Sequence, residues 1–293
     1  MIDKLEMFLA LAEARHFGRA AEAAGVAQPT LSAAIRSLED QLGVPLVRRG
    51  SRFEGLTPEG ERALHWARRM VADARALREE MRTAREGLSG TLRLGVIPTA
   101  LAAAARLTAA FAARHARVRV TVLSAPSTAI LDGLDALTLD AGITYLDAEP
   151  LGRRTTQALY EERHALVLRD DHPFAGRAAL PWAALGEVPL ALLTPEMQNR
   201  RIIGALLAAA GVEAAPRIET NSTIALVGHV LDGGWATVLP LGAAEPFLSH
   251  PRLRALPLRD PDARHRVGLV APAREPLPPL VAALMAEARE APR

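Results

Sequence analysis

Residues His16–Gln41, HFGRAAEAAGVAQPTLSAAIRSLEDQ, decide the fold of the N-terminal part of the chain. Two helical patterns meet here at a tight turn. Ala20, Ala21, Ala23 and Ala24 are small enough to admit a second helix at close range, and Gly25 stands where a helix end needs a residue tolerant of positive φ. The second helix starts at Gln28-Pro29, where the missing N–H of proline falls in the first turn and costs nothing. Leu31, Ala34, Ile35, Leu38 and Leu42 then recur at three- and four-residue spacing, giving one apolar face. The opposite face carries Gln28, Thr30, Ser32, Ala33, Arg36 and Ser37. An ordinary surface helix carries Glu and Lys there, whereas a helix entering a DNA major groove needs short groups that reach base edges and phosphates. A plain helical hairpin is the alternative, and the flanking sequence disfavours it.

Upstream, residues 2–14 read as a helix with Ile2, Leu5, Phe8, Leu9 and Ala12 as its buried stripe. His16, Phe17 and Gly18 form the turn into the next helix, and Gly18 sits where a Ser or Thr cap is expected, which weakens that start. Downstream, Gly43 and Pro45 precede VRRGSRFEGLTPEG at 47–60. Arg48, Arg49 and Arg52 flank a Gly50-Ser51 turn with no acid between them. They read as a β-hairpin lying on the phosphate backbone, binding without reading sequence. A solvated turn is the competing reading.

Thr57-Pro58-Glu59-Gly60 opens a long helix with a threonine cap and proline at its first position. Along it Ala63, Ala67, Met70, Ala74, Leu77, Met81, Ala84 and Leu88 alternate four- and three-residue steps. That is the coiled-coil period, so the helix is expected to dimerise, as a two-half-site operator requires. Leu88-Ser89-Gly90 ends it.

From residue 91 the texture changes to alternating strands and helices. Strands are expected at 91–97, 118–123, 139–144, 164–169, 188–194, 217–221, 235–240 and 265–271, with helices over 99–114, 127–137 and 276–290. Such alternation predicts a mainly parallel sheet covered on both faces.

The run GRAAEAAGVAQPTLSAAIRSLEDQLGVPLVRR at 18–49, with LTPEG at 56–60, resembles the winged helix-turn-helix of the LysR-type transcriptional regulators. The likeness continues more weakly along the remaining chain. One departure is Leu46-Val47, where the family usually has Leu-Phe before its wing. The resemblance implies an α/β chain in three parts. An all-α winged helix-turn-helix at 1–58 is followed by a dimerising linker helix at 59–88. A two-lobed effector domain of type 2 periplasmic-binding-protein fold then spans 91–293, lobe 1 at about 91–160 and 267–293, lobe 2 at about 161–266. It also implies double-stranded DNA as a partner, a homodimer through 59–88 assembled into a homotetramer, and RNA polymerase as a further partner. On this reading the DNA-binding residues are Arg19, Gln28, Pro29, Thr30, Ser32, Ala33, Arg36, Arg48, Arg49 and Arg52.

In open α/β lobes ligands bind beyond the carboxyl ends of strands, at helix N-termini. Pro98, Thr99 and Ala100 follow the first strand, Ser127 and Thr128 the second, and Thr194, Pro195 and Gln198 a strand of the second lobe. Asn221 and the Gly233-Gly234 turn are further candidates for the cleft wall. The resemblance puts these positions around an inter-lobe cleft, with Thr99 and Thr194 at its polar contacts. Each is also an ordinary capping signal. Hydroxyls, amides and nearby arginines favour a small organic anion as effector.

Composition narrows the remaining classes. A chain of 293 residues with 49% apolar content is globular and long enough for about two domains. Its net charge is only +2, so no global field announces nucleic acid, and Lys4 is the sole lysine among many arginines. The absence of cysteine excludes disulfides, thiolate metal sites, cysteine nucleophiles and thiol redox sensing. The eight histidines are scattered without i, i+4 metal spacing, and no G-x-S-x-G, Walker loop or G-x-G-x-x-G occurs. Asp170-Asp171-His172-Pro173 looks catalytic but reads better as a surface turn. No catalytic residue, metal or cofactor is therefore expected. A solute-binding or enzymatic α/β domain with an accessory helix-turn-helix is the alternative, and residues 1–90 argue against it. MIDKLEMF is not a secretory signal, no apolar run reaches membrane-span length, and a cytoplasmic protein is expected.

Overall fold

The computed structural model describes residues 1–49 and 53–290, and the chain divides into two compact units, Met1–Gly87 and Leu88–Arg293. Arg52 and the Gly50-Ser51 turn lie outside the described residues.

In the first unit, helices α1 (Ile2–Ala14), α2 (Phe17–Ala23) and α3 (Gln28–Leu42) precede a hairpin of β1 (Val47–Arg49) and β2 (Phe53–Leu56) and the long α4 (Pro58–Glu86). Leu5, Phe8 and Leu11 of α1, Ala20 and Ala21 of α2, and Leu31, Ile35 and Leu38 of α3 form one core. Leu42 does not join it: next to the left-handed Gly43, it has left the apolar face and is 45% exposed. The start of α2 is capped by His16, whose Nδ1 accepts from the N–H groups of Gly18 and Arg19 at 3.1 and 3.3 Å. The expected cap position at Gly18 is thus displaced by two residues, and the imidazole does what a serine would.

The hairpin is antiparallel, Val47 opposite Leu56 and Arg49 opposite Phe53. Leu46 and Val47 are buried, and the Phe53 ring meets Phe17 edge-on at 6.4 Å, so the wing keeps an aromatic contact despite Val47. Thr57 caps α4 through Gly60 N–H at 2.9 Å and donates its hydroxyl to Pro45 O at 2.7 Å. Leu64, Ala67 and Val71 bury the first half of α4 against the core. Past Val71 the helix has no buried residue, and it ends at Glu86, where Gly87 takes a positive φ. Leu88, the last member of the heptad pattern, therefore lies beyond the helix and packs on the core of the second unit.

The second unit holds two sheets of four or more strands. The first has the order β4-β3-β5-β13-β6, from β3 (Gly90–Val96), β4 (Val118–Ser124), β5 (Ala141–Tyr145), β6 (Arg154–Glu162) and β13 (His265–Pro272). A 3-10 turn at Pro98–Ala100 leads into α5 (Leu101–Arg114), α6 (Ser127–Asp135) precedes β5, and α10 (Pro279–Glu290) closes the described chain. The chain leaves this sheet at Glu162 and enters β7 (His164–Arg169). It then forms β8 (Leu180–Pro181), a 3-10 segment at Trp182–Glu187, β9 (Ala191–Leu193) and α7 (Gln198–Ala209). Next come β10 (Ile218–Thr220), α8 (Thr223–Gly233), β11 (Thr237–Pro240), the short α9 (Leu241–Ala244) and β12 (Leu253–Arg259), before the return to β13. The second sheet runs β11-β7-β12-β8, and β9 pairs β10 beside it.

The sheets are mixed rather than mainly parallel. Strands β3, β4 and β5, joined through α5 and α6, are parallel, but β13 returns antiparallel between β5 and β6. In the second lobe β7 pairs antiparallel with both β11 and β12. A helical crossover imposes parallel pairing only on the strands it joins, and β13 and β7 arrive by short crossings between lobes.

Candidate functional site

In the first unit the candidate surface is one face of α3 and the adjoining hairpin. Leu31, Ile35 and Leu38 are buried, which turns Gln28, Pro29, Thr30, Ala33 and Arg36 to solvent. Ser32 is half-buried beside them. Arg36 is the one cation of this helix and forms no ion pair among the described residues, so it brings a guanidinium to a strip of small residues. Ser37 is occupied internally, accepting from Lys4 Nζ at 2.8 Å. Arg19 is exposed, and its guanidinium donates to Ala14 O at 3.0 Å, which holds it at the start of α2. Arg48 is exposed on β1, and Arg49 continues that strand.

Glu39 links helix to wing. Its carboxylate, 5% exposed, accepts from the N–H groups of Leu46 and Val47 at 2.8 and 3.2 Å. In the sequence Glu39 passes for one more surface charge in a Leu-Glu-Asp run, with nothing local to mark it. In Glu39→Ala two buried N–H groups lose their acceptor, at a cost of about 2 kcal/mol. Amide exchange at Leu46 and Val47 is then expected to accelerate at least about tenfold. Unchanged protection would show that the carboxylate does not anchor the wing.

In the second unit, the sequence-derived candidates divide. Thr99, Ser127 and Gln198 are buried where the lobes meet; Pro98 and Thr194 are half-buried; and Ala100 is packed in the core of the first lobe. Thr128, Pro195 and Asn221 are exposed. Thr194 donates its hydroxyl to Glu196 at 2.6 Å, and Ser222 rather than Asn221 caps α8. The first turns of α7 cross onto the first lobe. Gln198 Oε1 accepts from Thr144 at 3.3 Å, Asn199 Nδ2 donates to the Tyr145 hydroxyl at 3.1 Å, and Ile202 enters the first lobe's core. Arg201 donates to Ser127 Oγ at 3.4 Å and forms an ion pair with Glu149. It also holds the carbonyls of Pro195 and Glu196.

Beside these contacts lies a buried polar group that no local motif announces: Tyr145, Glu162 and His164. The Tyr145 hydroxyl donates to the Glu162 carboxyl, and Asn199 Nδ2 sits 3.0 Å from His164 Nε2. Burial pushes the Glu162 carboxyl up to about 8, against the Tyr145 hydrogen bond and with help from the Asp147 charge. Burial, with the His265 ring nearby, pushes His164 down to about 3. Tyr145 lies well above its usual range, from burial and then from Glu162. At neutral pH the cluster is uncharged. Among the described residues no group of His, Cys, Asp and Glu could hold a metal ion.

Comparison with known proteins decides the family. Residues 2–61 match the bacterial regulatory helix-turn-helix of the lysR family, and residues 85–293 match the LysR substrate binding domain. The chain belongs to the LysR family. Among its relatives, a probable hydrogen peroxide-inducible genes activator of Mycobacterium avium is 33% identical over 271 residues, covering 92% of this chain and 87% of that one. The DNA-binding transcriptional dual regulator OxyR of Escherichia coli K12 is 32% identical over 270 residues, covering 92% and 88%. Among solved structures, a full-length OxyR variant from Pseudomonas aeruginosa matches with a TM-score of 0.81 at 26% identity, over 99% of this chain and 95% of that one. CbnR, a LysR family transcriptional regulator, shares the fold with a TM-score of 0.66 at 21% identity, over 99% and 98%. This LysR-family chain is thus a DNA-binding transcriptional regulator with an effector-binding domain, like its relatives and unlike an enzyme. No helix of the described residues is long and apolar enough to cross a membrane.

Proposed function

We propose that this regulator binds operator DNA through α3 and the wing, and that a small organic anion held between its α/β lobes tunes that binding. The exposed strip Gln28, Pro29, Thr30, Ala33 and Arg36 carries the first half of the reading. It is free of acids and bulky side chains, as a major groove requires. Ser32 lies at its margin, and Arg19, Arg48, Arg49 and Arg52 contribute phosphate contacts. The buried hydroxyls of Thr99 and Ser127, the Gln198 amide and the Arg201 guanidinium support the second half. Pro98, Thr128, Thr194, Pro195 and Asn221 complete the proposed cleft, while Ala100, another residue of that helix start, stands behind it in the first lobe's core.

The relatives' names point to hydrogen peroxide as an inducer, but this chain has no cysteine, so a thiol cannot be its sensor. A reversibly bound ligand fits the residues present. Met70, Leu77 and Met81 stand 40%, 59% and 57% exposed on α4, which supports a homodimer through residues 59–88 and a homotetramer built from such pairs. The regulator acts in the cytoplasm, and altered operator geometry is what RNA polymerase reads.

Footprinting at the intergenic region beside the gene tests the contacts. Arg36→Ala and Arg48→Ala are each expected to weaken operator binding about tenfold at moderate salt. Each should also lower the slope of log affinity against log salt by about 1. If neither variant changes the footprint, the assigned DNA face is wrong.

A further inference from the structure

The second unit also contains a pocket of about 310 Å³ that shares Thr99 with the proposed cleft but otherwise lies beside the two chain crossings. Thr99, Tyr160 and the buried Glu162 line its inner part. Arg106 of α5, Arg163 of the first crossing and Arg264 of the second stand at its mouth, and Ala103 and Leu241 supply apolar wall. We infer that this pocket is a second ligand site, distinct from the proposed cleft, and that it takes a small organic carboxylate gripped by Arg106.

The charges support an anion. Arg106 makes no ion pair among the described residues, and its charge bears on the Tyr160 phenol. Arg163 pairs with Asp262 at 3.2 Å, while Arg264 shares Asp262 at 3.6 Å and Glu161 at 3.9 Å. All of these partners are half-exposed, so the pairs are weak and exchangeable. Burial keeps Glu162 protonated at neutral pH, so three cations face two anions. An exposed guanidinium with two neutral hydroxyls inside is a fork for one carboxylate, and the Ala103 and Leu241 walls suit its carbon skeleton.

Location gives the site a consequence. Glu162 and Arg163 end the first crossing, Arg264 ends the second, and Leu241 N–H bonds Arg163 O at 2.9 Å from the other lobe. A ligand touching both crossings and Leu241 has different contacts at each angle between the lobes, and so biases that angle.

Calorimetric titration of the full chain with succinate and lactate, and separately with inorganic phosphate and sulfate, tests the inference. At least one carboxylate is expected to bind saturably, once per chain, and more tightly than either inorganic anion. Arg106→Gln and Arg163→Gln should weaken it at least about tenfold, while Arg119→Gln, an exposed arginine of β4 outside both sites, leaves it unchanged. The substituted arginines are exposed, and unchanged melting without ligand would confirm that each variant is folded. Unchanged binding in Arg106→Gln and Arg163→Gln, equal binding of phosphate, or no binding by either carboxylate overturns the assignment. None of these results depends on operator binding, whose failure would instead remove the proposed contacts of α3.

Discussion

Replacing Gly60 by alanine is expected to unfold the N-terminal unit first and to abolish operator binding. A Cβ at Gly60 would lie 2.1 Å from the carbonyl oxygen of Leu46 and 3.2 Å from Leu56 Cβ. The first obstacle is backbone, so no rotamer change relieves it. Either the first turn of α4 retreats or the start of the wing does. Both moves break the same joint: Thr57 N–H to Leu46 O at 3.0 Å, Gly60 N–H to Thr57 Oγ1 at 2.9 Å, and Thr57 Oγ1 to Pro45 O at 2.7 Å. Overpacking of this kind costs about 3 kcal/mol or more. For a unit of this size that lowers its melting transition by more than about 10 °C. Gly228→Ala in α8 is the control, since nothing lies within 4 Å of its Cβ and alanine favours a helix. Scanning calorimetry on both variants checks the expectation. A Gly60→Ala chain that melts and footprints like wild type would mean that α4 and the wing are not in contact through this residue.

That joint shows what a sequence does and does not disclose. The threonine cap and the proline after it follow from local chemistry, and Thr57 and Pro58 hold those places. The reason residue 60 is glycine lies in Leu46, which is adjacent only after the hairpin folds back. His16 makes the same point, since a histidine cap is invisible to a search for serine or threonine. Runs with a strong apolar signal, such as HALVLR at 164–169, form strands where expected. Edge strand β6 escapes such a reading because RTTQALYEE mixes polar and apolar residues, one face being open. Strand β12 buries Leu253 on one face and Leu256 and Leu258 on the other, so no simple alternation marks it, and Pro257 and the arginines obscure it further. Among the candidate ligand residues, helix starts single out Thr99, Ser127 and Gln198 only as hydroxyls and amides beyond strand ends; that they are buried comes from the packing around them. Helix starts cannot reveal Tyr145, Glu162 and His164, which belong to three strands: Tyr145 bonds Glu162 directly, and Asn199 of α7 reaches both Tyr145 and His164.

Between pH 6.5 and 8.5 the wild-type effector unit is expected to lose stability, and Glu162→Gln is expected to remove most of that loss. Burial raises the Glu162 carboxyl from 4.5 to about 8, so between these values the folded chain binds a proton that the unfolded chain has released. Stability from this group is therefore fully present below 4.5 and declines as pH rises, until the folded carboxyl also ionises near 8. His164 acts in the opposite sense, because its folded value falls from 6.5 to about 3. It adds stability as pH rises through that interval and contributes no slope above 6.5. The groups facing Glu162 are Tyr145 on β5, Tyr160 on its own strand, Asp147, and His265 paired with it across β13. Both tyrosines are raised above their ordinary range and do not titrate in this window. From about pH 6.5 to 8 the Glu162 slope amounts to about 2 kcal/mol, or roughly 5 °C in the melting transition of a unit this large. Glutamine keeps an acceptor for the Tyr145 hydroxyl and carries no charge at any pH, so the variant should melt above wild type at about pH 8.5 and converge with it near pH 5. Parallel melting curves across that range would mean that Glu162 is already ionised in the folded protein, and the uncharged cluster at the lobe junction would have to be given up.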